Sequence, residues 1–324
     1  MYLLLISNTS GIGWTFIPKS SLNGVNWTVT FGIKYWANRW IAVGTGTYNG
    51  NQMPIITSID GLIWNNVVFP TTIQGEYAVY AVDYSATVWL VCGFVLNSVD
   101  SKSYPFIYKS TDAINWSPVD LVPGFILTGI LSDLRWVDNK WLICGNIQYT
   151  DNSGHINYIQ LLKSNNYDAS NMQLLNFNYG TPYRITSFNN KDYVATALYP
   201  KLYRYNTAGI WINLSNPLDS VILGFSTYYK DNNDKEIFIC GNETNGLAIA
   251  RSTDGYNFTQ CTGSYNLRIN CLSKFMNNNT SILAGGSDGT LLYSINGAQS
   301  WGMYSNPDFK KYFNQILSIE VAFI

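Results

Sequence analysis

Glu76, Glu236, Glu243 and Glu320 are the only glutamates in the chain, and His155 is its only histidine. Ordinary glycoside hydrolysis needs two carboxylates held a fixed distance apart across the sugar. Most of these glutamates fall in or beside loops, so a catalytic pair would have to come from Asp. Most Asp sit in turn sequences, where a short carboxylate hydrogen-bonds its own backbone. A Ser-His or Cys-His mechanism would rest on His155 alone, in the hydrophilic stretch QYTDNSGHINY, whereas an activated nucleophile needs a base and an orienting group beside it. The sequence has no CxxC, no paired His and no EF-hand spacing, and the acidic stretch KDNNDKE reads as a hairpin tip. The expectation is therefore no catalytic residue, no cofactor and no metal.

Composition narrows the classes further. Apolar residues make up 47% of the 324-residue chain and charged residues only 12%, well below ordinary usage. Asn, Ser, Thr and Tyr must then wet the surface. With 19 basic and 20 acidic residues the net charge is −1, which supplies no field to draw in a polyanion, so nucleic acid is not an expected partner. The opening MYLLLISNTSG has too short an apolar run, and no basic residues before it, to read as a signal peptide, and no window reaches the length of a membrane span. A soluble chain made in a reducing compartment, without membrane insertion, is the expectation. Cys92, Cys144 and Cys240 close equivalent strands (WLVCG, WLICG, IFICG). Equivalent places in separate repeats lie apart, so these read as buried thiols.

The elements that would position any site come from a repeat. SIDGLIW (Ser58 to Trp64) returns as STDAINW (Ser110 to Trp116), STDGYNF (Ser252 to Phe258) and SLNGVNW (Ser21 to Trp27). A looser copy runs from Ser294 to Trp301, and eroded ones start at Ser164 and Tyr205. Each unit has an apolar strand ending in an aromatic (FGIKYW, YAVYAVDY, ILSDLRW, YRITSF, ILGFSTYY, INCLSKF). A second strand that usually ends in Gly follows (WIAVG, WLVCG, WLICG, YVATA, IFICG, ILAGG), then a third strand and the phrase. Strands rich in Ile, Val, Tyr and Trp between Gly and Asn turns argue for antiparallel sheet, and the period is that of a four-stranded propeller blade.

Six full units, 28–64, 65–116, 117–174, 175–212, 213–258 and 259–301, are expected as blades. Residues 1–27 hold a second and third strand without a first, and NQILSIEVAFI at the C-terminus is a first strand with nothing after it. The expectation is that 302–324 and 1–27 complete one more blade. The chain then reads as an all-β, single-domain (1–324), seven-bladed β-propeller of four-stranded antiparallel blades, its ring closed by pairing the N-terminal strands with the C-terminal strand.

Ser-x-Asp-Gly-x-x-Trp reads as a tight turn between third and fourth strands. Asp accepts from backbone N–H groups ahead of it, Gly takes positive φ, Ser caps, and Trp drops onto apolar surface. The phrase resembles the Asp-box (BNR) repeat of sialidases, related glycosidases, sortilin-type receptors and a photosystem assembly factor, shortened because Asp and Gly are adjacent. The matching residues are Ser21, Asn23, Gly24 and Trp27; Ser58, Asp60, Gly61 and Trp64; Ser110, Asp112 and Trp116; Ser252, Asp254, Gly255 and Phe258; and Ser294, Asn296, Gly297 and Trp301. The resemblance implies a structural fastener on the blade periphery. A sialidase-like site would add an Arg triad and an Arg-Ile-Pro motif, but Arg184 and Arg268, which alone approach it, are not followed by Ile-Pro.

One further set aligns just before the aromatic of the first strands: Lys34, Asp83 and Arg135, with Lys274 and Glu320 near the same register. These are expected as a mixed-charge channel rim, either mutually neutralised or open to a polar ligand. Long loops rich in Tyr, Asn and Ser, such as GTGTYNGNQM, VLNSVDSKSYP and IQYTDNSGHIN, suit adaptable contact with protein or glycan. The expected function is a non-enzymatic binding or structural module whose partners are coat or assembly proteins. The alternatives are a carbohydrate-binding lectin and a sialidase-like glycoside hydrolase. The neutral, Asn- and Ile-rich style resembles that of propeller proteins in virions of large DNA viruses or phages.

Overall fold

The structure is a computed structural model that describes residues 3–7, 13–17, 22–70, 73–121, 126–151, 153–197, 200–218, 220–229, 235–242, 248–263, 267–273, 281–304 and 315–320. Among them the chain is all β, in six four-stranded antiparallel sheets built from consecutive strands. In the first sheet, Asn26–Trp36, Arg39–Tyr48, Ile55–Ser58 and Asn65–Asn66 follow one another, with the two-residue Asn51–Gln52 on its second strand. Gly75–Tyr84, Trp89–Asn97, Ser103–Ser110 and Ser117–Pro118 make the second, and Leu127–Val137, Lys140–Thr150, Ile156–Ser164 and Gln173–Leu175 the third. The fourth runs Pro182–Phe188, Lys191–Thr196, Leu202–Tyr205 and Trp211–Leu214, and the fifth Ile222–Tyr229, Lys235–Gly241, Ile249–Ser252 and Thr259–Gln260. Ile269–Leu272, Ile282–Gly286, Leu291–Ser294 and Gly302–Met303 complete the sixth.

The fold is therefore a six-bladed β-propeller of four-stranded antiparallel blades, not a seven-bladed one. The expected composite blade does not form among the described residues. Leu3–Ser7 and Gly13–Ile17 pair only with each other. The described C-terminal residues go to the sixth sheet instead: Gln315 bridges Ser287, and Ile316 N–H donates to Gly286 O at 2.9 Å. The physical reason is space. A Cβ on Gly285 would stand 2.4 Å from Ile316 Cγ2, so the paired glycines of ILAGG leave a seat that Ile316 fills. Contacts divide the chain into two compact units, Pro18–Ile185 and Met1–Ile17 with Thr186–Ile324.

Core layers lie between successive sheets. In the first unit Ile41, Val43 and Ile55 pack against Tyr77, Val79, Val91 and Tyr108, while Leu90, Cys92 and Ile107 pack against Leu131, Leu134, Trp141 and Ile143. The second unit repeats this with Phe188, Tyr193 and Ala195 against Phe225, Ile237 and Ile239, and with Phe238, Cys240 and Ile249 against Ile269, Ile282 and Ala284. A second strand thus touches core on both faces, which is why WIAV, WLVC, WLIC and IFIC are continuous apolar runs rather than alternating ones. All five cysteines are buried and outside any disulfide, and burial first of all pushes the Cys92 and Cys144 thiols up.

The glycine expected to end each second strand does so only at Gly241 and Gly286, whereas Arg39–Tyr48, Trp89–Asn97 and Lys140–Thr150 run on past Gly44, Gly93 and Gly145. In all five it answers to a bulge in the partner. The first strands carry irregularities between Thr30 and Gly32, Val79 and Ala81, Leu131 and Asp133, Ile222 and Gly224, and Ile269 and Cys271. Opposite the residue before each bulge stand Gly44, Gly93, Gly145, Gly241 and Gly286. A bulge bends the first strand and presses its carbonyl onto the partner's Cα. A Cβ would meet Val29 O at 1.8 Å on Gly44, Ala78 O at 2.0 Å on Gly93 and Ile130 O at 2.3 Å on Gly145.

Candidate functional site: an aromatic groove on the second sheet

Six turns join third to fourth strands, one per sheet, where the repeated phrase places them. In the first, Ser58 Oγ donates to Asp60 Oδ1 at 2.9 Å and accepts from Gly61 N–H at 2.8 Å. Leu62 and Ile63 N–H donate to Asp60 Oδ1 at 2.8 and 3.0 Å, Gly61 has φ 74°, and buried Trp64 donates Nε1–H to Gly61 O. Ser110–Asp112 and Ser252–Asp254 repeat the bonding, with Ala113 (φ 63°) and Gly255 (φ 70°) at the left-handed position. In the last turn Asn296 replaces Asp and accepts from Ser294 and Ser300 N–H, while Gly297 and Ala298, both at positive φ, absorb the extra residue. Trp116 and Trp301 are buried and Phe258 is half-buried. Ser21 lies outside the described residues; Asn23 and Gly24 have positive φ, Asn23 Nδ2 donates to Asn65 Oδ1, and Trp27 is buried.

These bonds hold the carboxylates ionised. The N–H of Asn115 lowers Asp112 most, that of Asn257 lowers Asp254, and that of Ile63 lowers Asp60. A carboxylate depressed in the folded state contributes stability above its unfolded value, near 4, and loses it as pH falls toward the folded value. Asp112→Ala is expected to lower stability by about 1–2 kcal/mol at neutral pH, and Asp112→Asn by less, since Asn already serves at position 296. Urea unfolding at pH 7 and pH 3 checks both: the gap between wild type and Asp112→Asn should narrow at pH 3.

Three of the turns also tie neighbouring sheets together. Tyr193 Oη donates to Gly255 O, and the buried Arg204 guanidinium stacks on Tyr256 at 3.7 Å. Arg251 donates to Gly297 O while pairing with Glu236 at 3.5 Å. In the third turn Asp168 is lowered chiefly by its hydrogen bonds to Ser170, with Lys109 of the preceding sheet adding to the effect. A cation just before the phrase (Lys109, Arg204, Arg251) reaching the following turn is a sequence signal not used above.

The expected rim proves to be a second set of ties. Lys34 Nζ meets Asp83 Oδ1 at 2.9 Å, and Asp83 Oδ2 accepts Trp136 N–H at 2.9 Å, so one carboxylate joins three first strands. Asp133 repeats the move, accepting Ile185 N–H on Oδ2 and pairing with Arg135 on Oδ1 at 3.4 Å. Arg135 therefore joins Asp133 rather than Lys34 and Asp83. Glu320 is buried in the C-terminal segment, and Lys274 lies outside the described residues. His155 sits exposed at a hairpin tip with Nδ1 3.6 Å from Asp151, and no cluster of metal-binding side chains occurs among the described residues.

A groove of about 290 Å³ lies along the second sheet. One wall is Ile73, Tyr77, Tyr104, Phe106 and Tyr108; the other is Ile107, Val119, Leu121, Ile126 and Leu127. Rings brace the first wall, with Tyr77–Phe106 centroids at 5.7 Å and Phe106–Tyr108 at 5.4 Å. Phe69 stacks on Tyr108 from behind at 4.6 Å, and Tyr108 Oη donates to Pro70 O. Ile126 stands 79% exposed at the mouth. Asp120 is the charged residue of the lining, and beside the groove Tyr104 Oη donates to Asp100. The loop VLNSVDSKSYP, expected as a contact loop, borders it. Sequence alone gave no sign that Tyr77, Phe106 and Ile126 would converge; the signal was the length of the strand after that loop.

No protein-family profile matches the chain, and no curated protein does. Solved structures do. YCF48 bound to D1 peptide is similar with a TM-score of 0.57 and 15% identity over 89% of this chain and 85% of that one. Virginiamycin B lyase from Staphylococcus aureus gives 0.55 and 13% over 86% and 84%. A chain of a nidogen/laminin complex gives 0.50 and 7% over 89% and 96%. At these identities the likeness shows the fold alone: the chain is of the β-propeller class. No helix among the described residues is long and apolar enough to cross a membrane.

Proposed function

We propose that the protein is a non-enzymatic recognition module of the shortened Asp-box type, binding a protein partner through the groove on its second sheet. The observation that carries this is the groove itself, in which aromatic and aliphatic walls meet with a single carboxylate and an exposed Ile at the mouth. Apolar side chains set beside exposed backbone and hydroxyl groups fit a peptide segment rather than a reacting bond. Structural neighbours that bind a peptide or sit in a protein complex support the reading. The low charge and the Tyr- and Asn-rich loops support a coat or assembly protein of a particle as partner.

Selection of displayed random dodecapeptides against the folded protein tests this, alongside a glycan array and a fluorogenic sialoside. Peptides should be enriched, and Ile126→Ser, a change at an exposed position, should weaken them about fivefold or more. Enrichment indifferent to Ile126→Ser, or binding confined to glycans, would refute the groove as the site.

A further inference from the structure

The groove exists because two neighbouring strands differ in length. The third strand of the second sheet runs eight residues, Ser103–Ser110, and its fourth strand only two, Ser117–Pro118. One more bond, Val119 N–H to Ile107 O at 2.9 Å, extends the pairing. Beyond it the outer edge of Ser103–Phe106 has no strand partner among the described residues. In the first, fourth, fifth and sixth sheets the third strand is four residues long and leaves no such edge. The third sheet, with nine residues against three, leaves one as well, but without the second sheet's aromatic wall and Asp120 beside it.

Backbone groups alternate along a strand, so with Ile107 facing outward, Pro105 and Ser103 do too. Pro105 has no N–H, which spares the inner ladder and blunts the open edge. Side chains alternate as well. Tyr104, Phe106 and Tyr108 go to the aromatic wall while Ile107 lies with Val119 and Leu121 on the aliphatic one. A chain laid along this edge would present consecutive residues to opposite walls, and the cleft leaves room for about two side chains at the small end of known sites. Asp120 asks for a cation beside them.

On the reading of the groove as a protein-recognition site, we propose that its occupant is an extended segment of a partner protein, added where the fourth strand stops. It carries two adjacent apolar residues, one per wall, followed by Lys or Arg opposite Asp120.

Fluorescence anisotropy with labelled decapeptides decides it. The probes are a Thr/Ser carrier bearing Ile-Phe-Lys, the same with Ile-Phe-Glu, and the Lys peptide N-methylated at alternate backbone amides. The Lys peptide should bind at least about fivefold more tightly than the Glu peptide, and Asp120→Asn should reduce that preference to less than about twofold. Pro105→Val restores an edge donor and should tighten binding about threefold, a gain that N-methylation removes. Equal binding of Lys and Glu peptides, or indifference to both Pro105→Val and N-methylation, overturns the strand-addition inference. Should none of the decapeptides bind while the selected dodecapeptides still depend on Ile126, the recognition site stands and this inference falls. Self-association lost on Ile126→Ser would instead make a second copy of this chain the occupant and overturn it.

Discussion

Asp83→Ala is expected to lower the unfolding free energy by about 3 kcal/mol, the loss typical of removing one member of a buried pair. The Asp83 side chain is 8% exposed. It takes Tyr84 N–H and Lys34 on one oxygen and Trp136 N–H on the other. Alanine would strand the Trp136 amide and leave a half-buried ammonium without its partner. Asp83→Asn keeps an acceptor for Trp136 and should lose about half as much, and Lys34→Met about 1 kcal/mol or less, because the two amides still satisfy the carboxylate. Urea unfolding of the three variants gives the order. A Lys34→Met loss equal to that of Asp83→Ala would mean that the ion pair, not the strand-to-strand bond, holds these first strands together.

Gly93→Ala should be at least as damaging, more than about 3 kcal/mol or no soluble protein at all, since overpacking against backbone has no cheap relief. Its Cβ would stand 2.0 Å from Ala78 O and 3.0 Å from Val79 Cα, atoms fixed by the ladder on both sides. Gly224→Ala is the matched control, because its nearest neighbour is a side chain, Cys240 Sγ at 3.0 Å, and its expected loss is about 1 kcal/mol. Thermal melts of the two variants at equal concentration distinguish them; similar melts would show that the bulge yields and that the recurring glycine answers to something other than the carbonyl.

Those glycines mark how far the sequence was legible. WIAVG, WLVCG, WLICG and IFICG announced second strands but not their ends, since three of the four run on past the glycine. The phrases at Ser58, Ser110 and Ser252 lie between third and fourth strands, while the one at Ser21 leads into Asn26–Trp36, a first strand. The blade count was not legible, because pairing the two chain ends looked the same on paper as seating Ile316 beside Gly285. Lys34 and Asp83, aligned in the sequence register, form an ion pair, whereas Arg135 pairs with Asp133, two residues before it on the same strand and just past the bulge. No periodicity encodes that choice. The groove was the least legible feature, since its lining comes from five strands and the linkers on either side of the second sheet, and a mismatch of strand lengths opens it.

The ties from Asp83, Asp133, Arg204 and Arg251 each run to an adjacent sheet in sequence order. Such nearest-neighbour coupling makes the molecule behave like a short one-dimensional array in which each sheet's protection depends on its flanks. Amide exchange should then follow a gradient within Pro18–Ile185. The second strand of the second sheet, Trp89–Asn97, held from both sides, should be among the last to exchange. Loosening one tie should raise exchange in the two sheets it joins before any other, so that a lesion at a single carboxylate is read out as a local melting front.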